Sequence, residues 1–257
     1  MRAANGKTRR AAGFTLIEIA IVVVIIGLLL GGILKGQEMV SNARVHHLMD
    51  QGAATRAAIL GFSDRFHALP GDYALATRNI PGARVNGDGN GRVGGDPDVA
   101  SQDGGRARAT EIAAVWEHLS KAGFLTGAYD GNPAGVAGPW SCAPGTCLVN
   151  AFNGGLVLAH DRQHYHADPG NPANYKGGIA RNQLTTGPFV PVEVMAELDR
   201  KGDDGDPAHG FLLIGHAYLA TPEGGPRQCA AAAPGARMVE YWNLLSRNSD
   251  CGGVYLF

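Results

Sequence analysis

Residues 13–34 read GFTLIEIAIVVVIIGLLLGGIL, and one carboxylate, Glu18, stands five residues past Gly13 in an otherwise apolar run. Placing an acid at a bilayer centre costs roughly 3 kcal/mol, so an ionisable group there is a functional hypothesis by default. From Phe14 to Leu34 there is no Lys or Arg. The charge must therefore be met by protonation, by the interface or by another molecule. Upstream lies MRAANGKTRRAAG, with Arg2, Lys7, Arg9 and Arg10 and no acid. A secretory signal carries its cleavage site after the apolar region. Here the glycine precedes it, so a cut after Gly13 would remove only the basic leader and leave the apolar run at the mature N-terminus. About 20 apolar residues span a hydrocarbon core of about 30 Å. The basic leader predicts a cytoplasmic N-terminus, which puts the rest of the chain outside the cytoplasm. A plain signal anchor with an accidental acid is the disfavoured alternative, since such helices seldom carry one.

Basic leader, glycine, Phe-Thr-Leu-Ile-Glu and a long apolar helix together resemble the type IV pilin and pseudopilin superfamily, with Gly13, Phe14, Thr15, Leu16, Ile17 and Glu18 matching without substitution. The resemblance implies several things. A membrane prepilin peptidase and N-methyltransferase would cut between Gly13 and Phe14 and methylate the new Phe14 amine. Glu18 would then pair with the Phe14 amine of a neighbouring subunit during assembly on an inner-membrane platform. Carboxylate and ammonium are each costly in lipid and become tolerable together.

After Lys35 the pattern turns amphipathic, with Val40, Ala43, Leu48, Ala54, Ala58 and Phe62 at near-helical spacing. A helix is predicted to continue to about Phe66, where Leu69-Pro70-Gly71 stops it, a rod of roughly 80 Å at 1.5 Å per residue. The divisions are then leader 1–13, membrane and filament-core helix 14–34, amphipathic continuation 35–66, and one globular head 67–257. Without the leader's cations, 18 basic side chains face 23 acidic ones, a net charge of −5. That argues against a generally basic nucleic-acid surface, and no nucleic-acid partner is expected. With 38 Gly and 14 Pro the head should be loop-rich.

Within the head, Phe66 to Tyr73, Asn86 to Gly91, Trp116 to Leu119, Leu198 to Pro207 and the ending from Tyr241 to Phe257 resemble a group of large bacterial pilin-like proteins. Asn86-Gly-Asp88-Gly-Asn90-Gly91 alternates oxygen side chains with glycine as a small Ca²⁺-wrapping loop does. It resembles the first half of an EF-hand-like loop. Position twelve is Pro97, so a bidentate carboxylate would have to come from Asp96, Asp98 or elsewhere. The alternative is a polar turn in which Gly and Asn supply positive φ. Asp199, Asp203, Asp204 and Asp206 form a second acidic loop and a weaker Ca²⁺ candidate. No cofactor is otherwise required.

His160, Asp161, His164, His166 and Asp168 make the best case for a metalloenzyme. However, a His-Glu-x-x-His helix is missing, and Pro169-Gly170-Asn171-Pro172 marks an exposed loop. Gly-x-Ser-x-Gly does not occur, and Gly6-Lys7-Thr8 lacks the upstream glycine of a phosphate-binding Gly-x4-Gly-Lys-Ser/Thr loop, so a hydrolase or NTPase lacks its nucleophile or cradle. Cys142, Cys147, Cys229 and Cys251 fall in the exported head, and an even count in an oxidising compartment favours disulfides. Four cysteines allow three pairings; Pro144-Gly145 suits a tight turn and favours Cys142 with Cys147, leaving Cys229 with Cys251. Their spacing lacks the two-residue pairs of zinc ribbons.

A head helix is predicted around Val115 to Leu119, ending near Gly123, with strands at Leu148 to Phe152, Gly155 to Ala159, Phe211 to Ala217, Val239 to Leu244 and Val254 to Phe257. Trp116, Trp140 and Trp242 are expected to be packing residues. The expected fold is α+β: a long N-terminal helix, transmembrane in its first half, packed on a loop-rich antiparallel sheet. The expected function is a non-catalytic filament subunit of a type IV pilus or type II secretion-like system. It would first be anchored in inner-membrane lipid and then polymerise with other pilin subunits in the periplasm or at the cell surface. The alternative is a membrane-tethered extracytoplasmic binding protein or metal-dependent enzyme that uses prepilin processing only for export.

Overall fold

The computed structural model describes residues 15–95, 106–137, 141–161, 180–215, 229–231 and 241–257. It divides into two compact units, Met1–Ala43 and Arg44–Phe257. Its elements, in chain order, are α1 (Leu16–Phe66), α2 (Ala76–Asn79), α3 (Arg106–Lys121), β1 (Val136–Ala137), β2 (Ser141–Cys142), β3 (Leu158–Asp161), β4 (Arg181–Thr185), α4 (Val192–Gly202), β5 (Leu212–Ile214), β6 (Ala230–Ala231), β7 (Tyr241–Trp242) and β8 (Gly253–Leu256). This is the α+β architecture expected, a long N-terminal helix followed by an antiparallel sheet with short helices.

In the first unit the apolar stretch of α1 is long and apolar enough to cross a membrane, and its side chains are exposed among the described residues. Leu16, Ile17, Val23, Leu28 and Leu34 are among its large exposed side chains. The second unit contains the amphipathic continuation of the same helix. Its buried face is Val45, Leu48, Gly52, Thr55, Ala58, Ile59 and Phe62, a 3–4 residue spacing. Leu48, Ala58 and Phe62 are on the face the sequence suggested. Val40, Ala43 and Ala54 are exposed, because the buried stripe runs through Val45, Gly52 and Thr55 instead. Gly52 has a packing reason: a Cβ there would stand 3.0 Å from the Tyr255 ring of β8. α1 ends at Phe66, followed by His67 at φ 51° and the Leu69-Pro70-Gly71 turn.

The main sheet has the order β3-β4-β8-β5, antiparallel throughout. Its registers pair Leu158 with Leu184, Leu184 with Tyr255 and Tyr255 with Leu212. The core gathers Phe62 from α1, Ile112, Trp116 and Leu119 from α3, and Met195 and Leu198 from α4 with the strand residues Leu158, Leu184 and Ile214. An aromatic group joins α1 to α3: Phe62 lies 4.6 Å from Phe66 and 6.0 Å from Phe124 between centroids, and stacks on His118 at 6.1 Å.

Three expectations need correction. Leu148 to Phe152 is not a strand; it makes one bridge, Val149 with Gly155, and then a turn through Asn153 at φ 66°. The Asn150 side chain closes that turn, its Oδ1 accepting from the Phe152 and Gly154 amides at 2.8 and 2.9 Å. Of Gly155 to Ala159, only Leu158 and Ala159 join β3. Finally, Asp199 does not lie in a loop. It belongs to α4, whose Val192, Met195, Leu198 and Asp199 form a buried stripe. From the other candidates, residues 216–217 and Val239 lie outside the described residues, and Leu244 sits in a 3₁₀ turn after β7.

Candidate functional site

Gly13 and Phe14, the expected cleavage and methylation positions, lie outside the described residues. Glu18 is described, and its partner is Thr15, three residues back. The Thr15 amide and hydroxyl both donate to Glu18 Oε2 at 2.8 Å, while the Glu18 amide donates back to Thr15 Oγ1 at 3.3 Å. This is a capping box, in which an N-cap Thr and the Glu three residues on satisfy each other's helix-end donors. Its signal, Thr-x-x-Glu before an apolar run, was present in the sequence. The carboxylate thus sits at the positive end of the helix dipole, on a surface made of uncovered aliphatic side chains.

In the head, the glycine-alternating loop turns its side chains onto its own neighbourhood. Asn86 Oδ1 accepts from the Thr77 amide at 2.9 Å, and Asn90 Oδ1 accepts from the Arg92 amide at 2.8 Å. Asp88 Oδ1 accepts from the Asn90 amide at 2.9 Å. Asp96 and Asp98 lie outside the described residues. Grouped with Asp88 are two carboxylates that the sequence pattern did not single out as ligands, Asp72 and Glu111, both buried. Asp72 takes the Asn90 and Gly91 amides on its two oxygens, and Glu111 takes those of Asp88 and Gly94. Burial raises both pKa values above the ordinary carboxylate range, against the pull of those amides. Close backbone approach holds the arrangement: a Cβ on Gly87 would fall 2.2 Å from the Asp72 carbonyl carbon, and one on Gly71, at φ 90°, would fall 2.6 Å from Glu111 O. His118 and Glu117 anchor the same loop from α3. Glu117 accepts from the Arg84 and Val85 amides at 3.0 and 3.2 Å.

The second acidic group brings together Asp199, Asp203 and Asp204, each with a carboxylate oxygen within 4.8 Å of the others. Asp199 is fully buried; its Oδ2 accepts from Trp242 Nε1–H at 2.7 Å. Its Oδ1 has no hydrogen-bond partner. Burial, with the charges of Asp204 and Asp203 adding to it, pushes the Asp199 pKa up to about 6. The Trp242 donor opposes this, as does the Gly205 amide from outside hydrogen-bonding geometry. Asp203 Oδ2 accepts from the Leu212 amide at 2.8 Å, and Asp204 Oδ1 accepts from the Asp206 amide at 2.9 Å. Asp206 is not part of the group. Its Oδ2 lies 2.8 Å from His209 Nδ1, and its Oδ1 accepts from the Ala208 amide.

His160 and Asp161, expected on an exposed loop, belong to β3. Pairing with β4 buries Asp161, which forms an ion pair with Arg108 of α3. His164, His166 and Asp168 lie outside the described residues, as does Trp140. Trp116 and Trp242 are buried. Disulfides join Cys142 to Cys147 and Cys229 to Cys251.

No curated protein and no solved structure matches the chain. Its N-terminal segment does match a family, described as the prokaryotic N-terminal methylation motif, over residues 8–34. That span takes in the leader's last cations, the Gly13-Phe14 junction, Glu18 and the uncovered apolar helix. The chain therefore carries, at residues 8–34, the prepilin-type cleavage and methylation motif of type IV pilins and pseudopilins.

Proposed function

We propose that this chain is a structural subunit of a type IV pilus or type II secretion-like filament, polymerised through the first half of α1. The motif implies processing by a prepilin peptidase and an exported, membrane-anchored protein. The observation that carries the reading further is the apolar surface of Leu16 to Leu34, exposed among the described residues. Lipid covers such a surface before assembly, and the same helices of neighbouring subunits cover it afterwards. In this reading the partners are the peptidase, lipid, an inner-membrane assembly platform and other pilin subunits, and the subunit performs no catalytic reaction. Glu18 sets register by meeting the Phe14 amine of a neighbour, because two opposite charges in lipid are tolerable only as a pair.

Two measurements test the proposal. Mass spectrometry of membrane fractions is expected to find a chain beginning at N-methylated Phe14 only when the peptidase is present. Glu18→Ala is expected to be cut as the wild type is, yet to be missing from sheared filaments. An intact Met1 in the presence of the peptidase, or filaments of normal abundance from Glu18→Ala, would overturn it. Head function that survives replacing residues 14–34 by an unrelated anchor would favour a tethered binding protein instead.

A further inference from the structure

We propose that Asp199, Asp203 and Asp204 form a calcium site that ties the end of α4 to the start of β5. Asp199 is a fully buried carboxylate whose Oδ1 makes no hydrogen bond. Buried polar atoms are almost always paired, and an orphan among them calls for an explanation such as an ion. Protonating Oδ1 would remove one charge and leave those of Asp203 and Asp204 facing each other. A water offers two hydrogens but no charge to balance three carboxylates. A divalent cation supplies both a partner and charge.

Geometry and donor type select calcium. The three carboxylate oxygens lie within 4.8 Å of one another, about twice a Ca²⁺–O bond of about 2.4 Å, so one ion can touch all three. The donors are all hard oxygens, with neither His nor Cys in the group, which disfavours zinc and copper. Mg²⁺ demands near-regular octahedra at about 2.0–2.1 Å, whereas Ca²⁺ tolerates irregular sets completed by water and carbonyl oxygens. The carboxylates are also held in place. Trp242 Nε1–H fixes Asp199, and the Leu212 amide fixes Asp203. Gly210, at φ 80°, passes so close that a Cβ there would lie 2.0 Å from Asp203 Oδ2. Arg200 and Lys201, on the same helix, reach Glu197 at 2.7 and 3.0 Å.

The site is tested on the full-length chain in detergent with Tb³⁺, a Ca²⁺ surrogate whose emission Trp242 should sensitise. The expected result is saturable emission on tryptophan excitation, displaced by CaCl₂ at about 0.1–1 mM and not by equal MgCl₂. Asp199→Asn should weaken Ca²⁺ at least about tenfold. So should Asp204→Asn, whose exposed position leaves the fold unchanged. Asp88→Asn should leave the affinity unaltered, and Trp242→Phe should lose the emission yet keep calorimetric Ca²⁺ binding. Absence of Ca²⁺-displaceable emission, equal displacement by Mg²⁺, or emission lost in Asp88→Asn but kept in Asp204→Asn would overturn the assignment.

Discussion

His118 is the most exacting place to test how the head is held together. It is fully buried in the last turn of α3 and joins two segments distant in sequence. Gly71 N–H donates to Nδ1 at 2.9 Å, which forces the proton onto Nε2, and Nε2 lies 2.8 Å from Val85 O. His118→Leu keeps the contact with Phe62 but orphans a buried amide and a half-buried carbonyl. A buried orphan costs about 1–3 kcal/mol and a half-buried one less, about 1–5 kcal/mol for the pair. For a domain of this size that lowers Tm by about 2–20 °C. His118→Gln retains one acceptor and one donor and should recover part of the loss. The pH dependence follows from burial, which depresses the imidazole pKa below its ordinary range. The unfolded chain takes up a proton near pH 6.5 while the native state resists it, so stability is whole above 6.5 and is lost as pH falls towards the folded value. The slope is at most about 1.4 kcal/mol per pH unit. The neighbouring Glu117 carries the opposite sign, its carboxyl being raised by burial, and remains in both proteins so that it cancels. Thermal unfolding of the full-length chain in detergent, followed by near-UV circular dichroism between pH 5 and 8, reads both effects. If His118→Leu costs under about 0.5 kcal/mol, or the wild-type advantage over His118→Gln is the same at pH 5.5 as at pH 7.5, the reasoning fails.

Cys229→Ser should cost about 3 kcal/mol, because the Cys229–Cys251 bridge closes a loop with a sequence separation of 22; a reductant should lower the wild-type Tm while leaving that of a double variant lacking both bridges unmoved. Arg108→Met removes the ion-pair partner of the buried Asp161, and should destabilise the head by about 3–5 kcal/mol in urea unfolding. The double variant Arg108→Met, Asp161→Leu should regain much of that, so a double variant as unstable as the single one would remove the ion pair from the account.

Some of the fold could be read from local chemistry. The stop after Phe66 follows from Leu69-Pro70-Gly71, and the helix around Trp116 follows from apolar spacing ended by Gly123. By contrast, β4 reads Arg-Asn-Gln-Leu-Thr, with no apolar alternation, and is a strand because β3 and β8 pair with it on both sides. α4 was hidden for another reason: Asp199 in its last turn runs into Asp203, Asp204 and Asp206 beyond it and reads with them as a solvated loop, although Pro191 and the spacing of Val192, Met195 and Leu198 announce a helix. The same long-range dependence explains the acidic groups. Asp72 and Glu111 reach Asp88 only through the backbone approach at Gly71 and Gly87, which sequence spacing around Asp88 does not encode. Asp199 reads as a solvated loop residue in the sequence, whereas its place on the buried face of α4 leaves Oδ2 with Trp242 and Oδ1 without a hydrogen bond.

Glu18 shows how the local and the intermolecular readings can be separated. Lacking a cation in its segment, it looked like a bare cost of roughly 3 kcal/mol awaiting a neighbour. Thr15 already offsets part of that cost by donating two hydrogen bonds, so a neighbour's amine gains only the difference between an ion pair and a capping box. If capping is the main role of Glu18, Thr15→Ala should frustrate assembly as Glu18→Ala does, since the N-terminal turn of α1 would fray in both. If the charge pair sets register, Thr15→Ala should still be incorporated into filaments, because the hydroxyl it loses competes with the neighbour for the same oxygen, Glu18 Oε2. Glu18→Gln, which keeps a capping acceptor and loses the charge, should then fail alongside Glu18→Ala. Filament yields in which Glu18→Gln assembles and Thr15→Ala does not would assign Glu18 to the helix end rather than to the subunit interface.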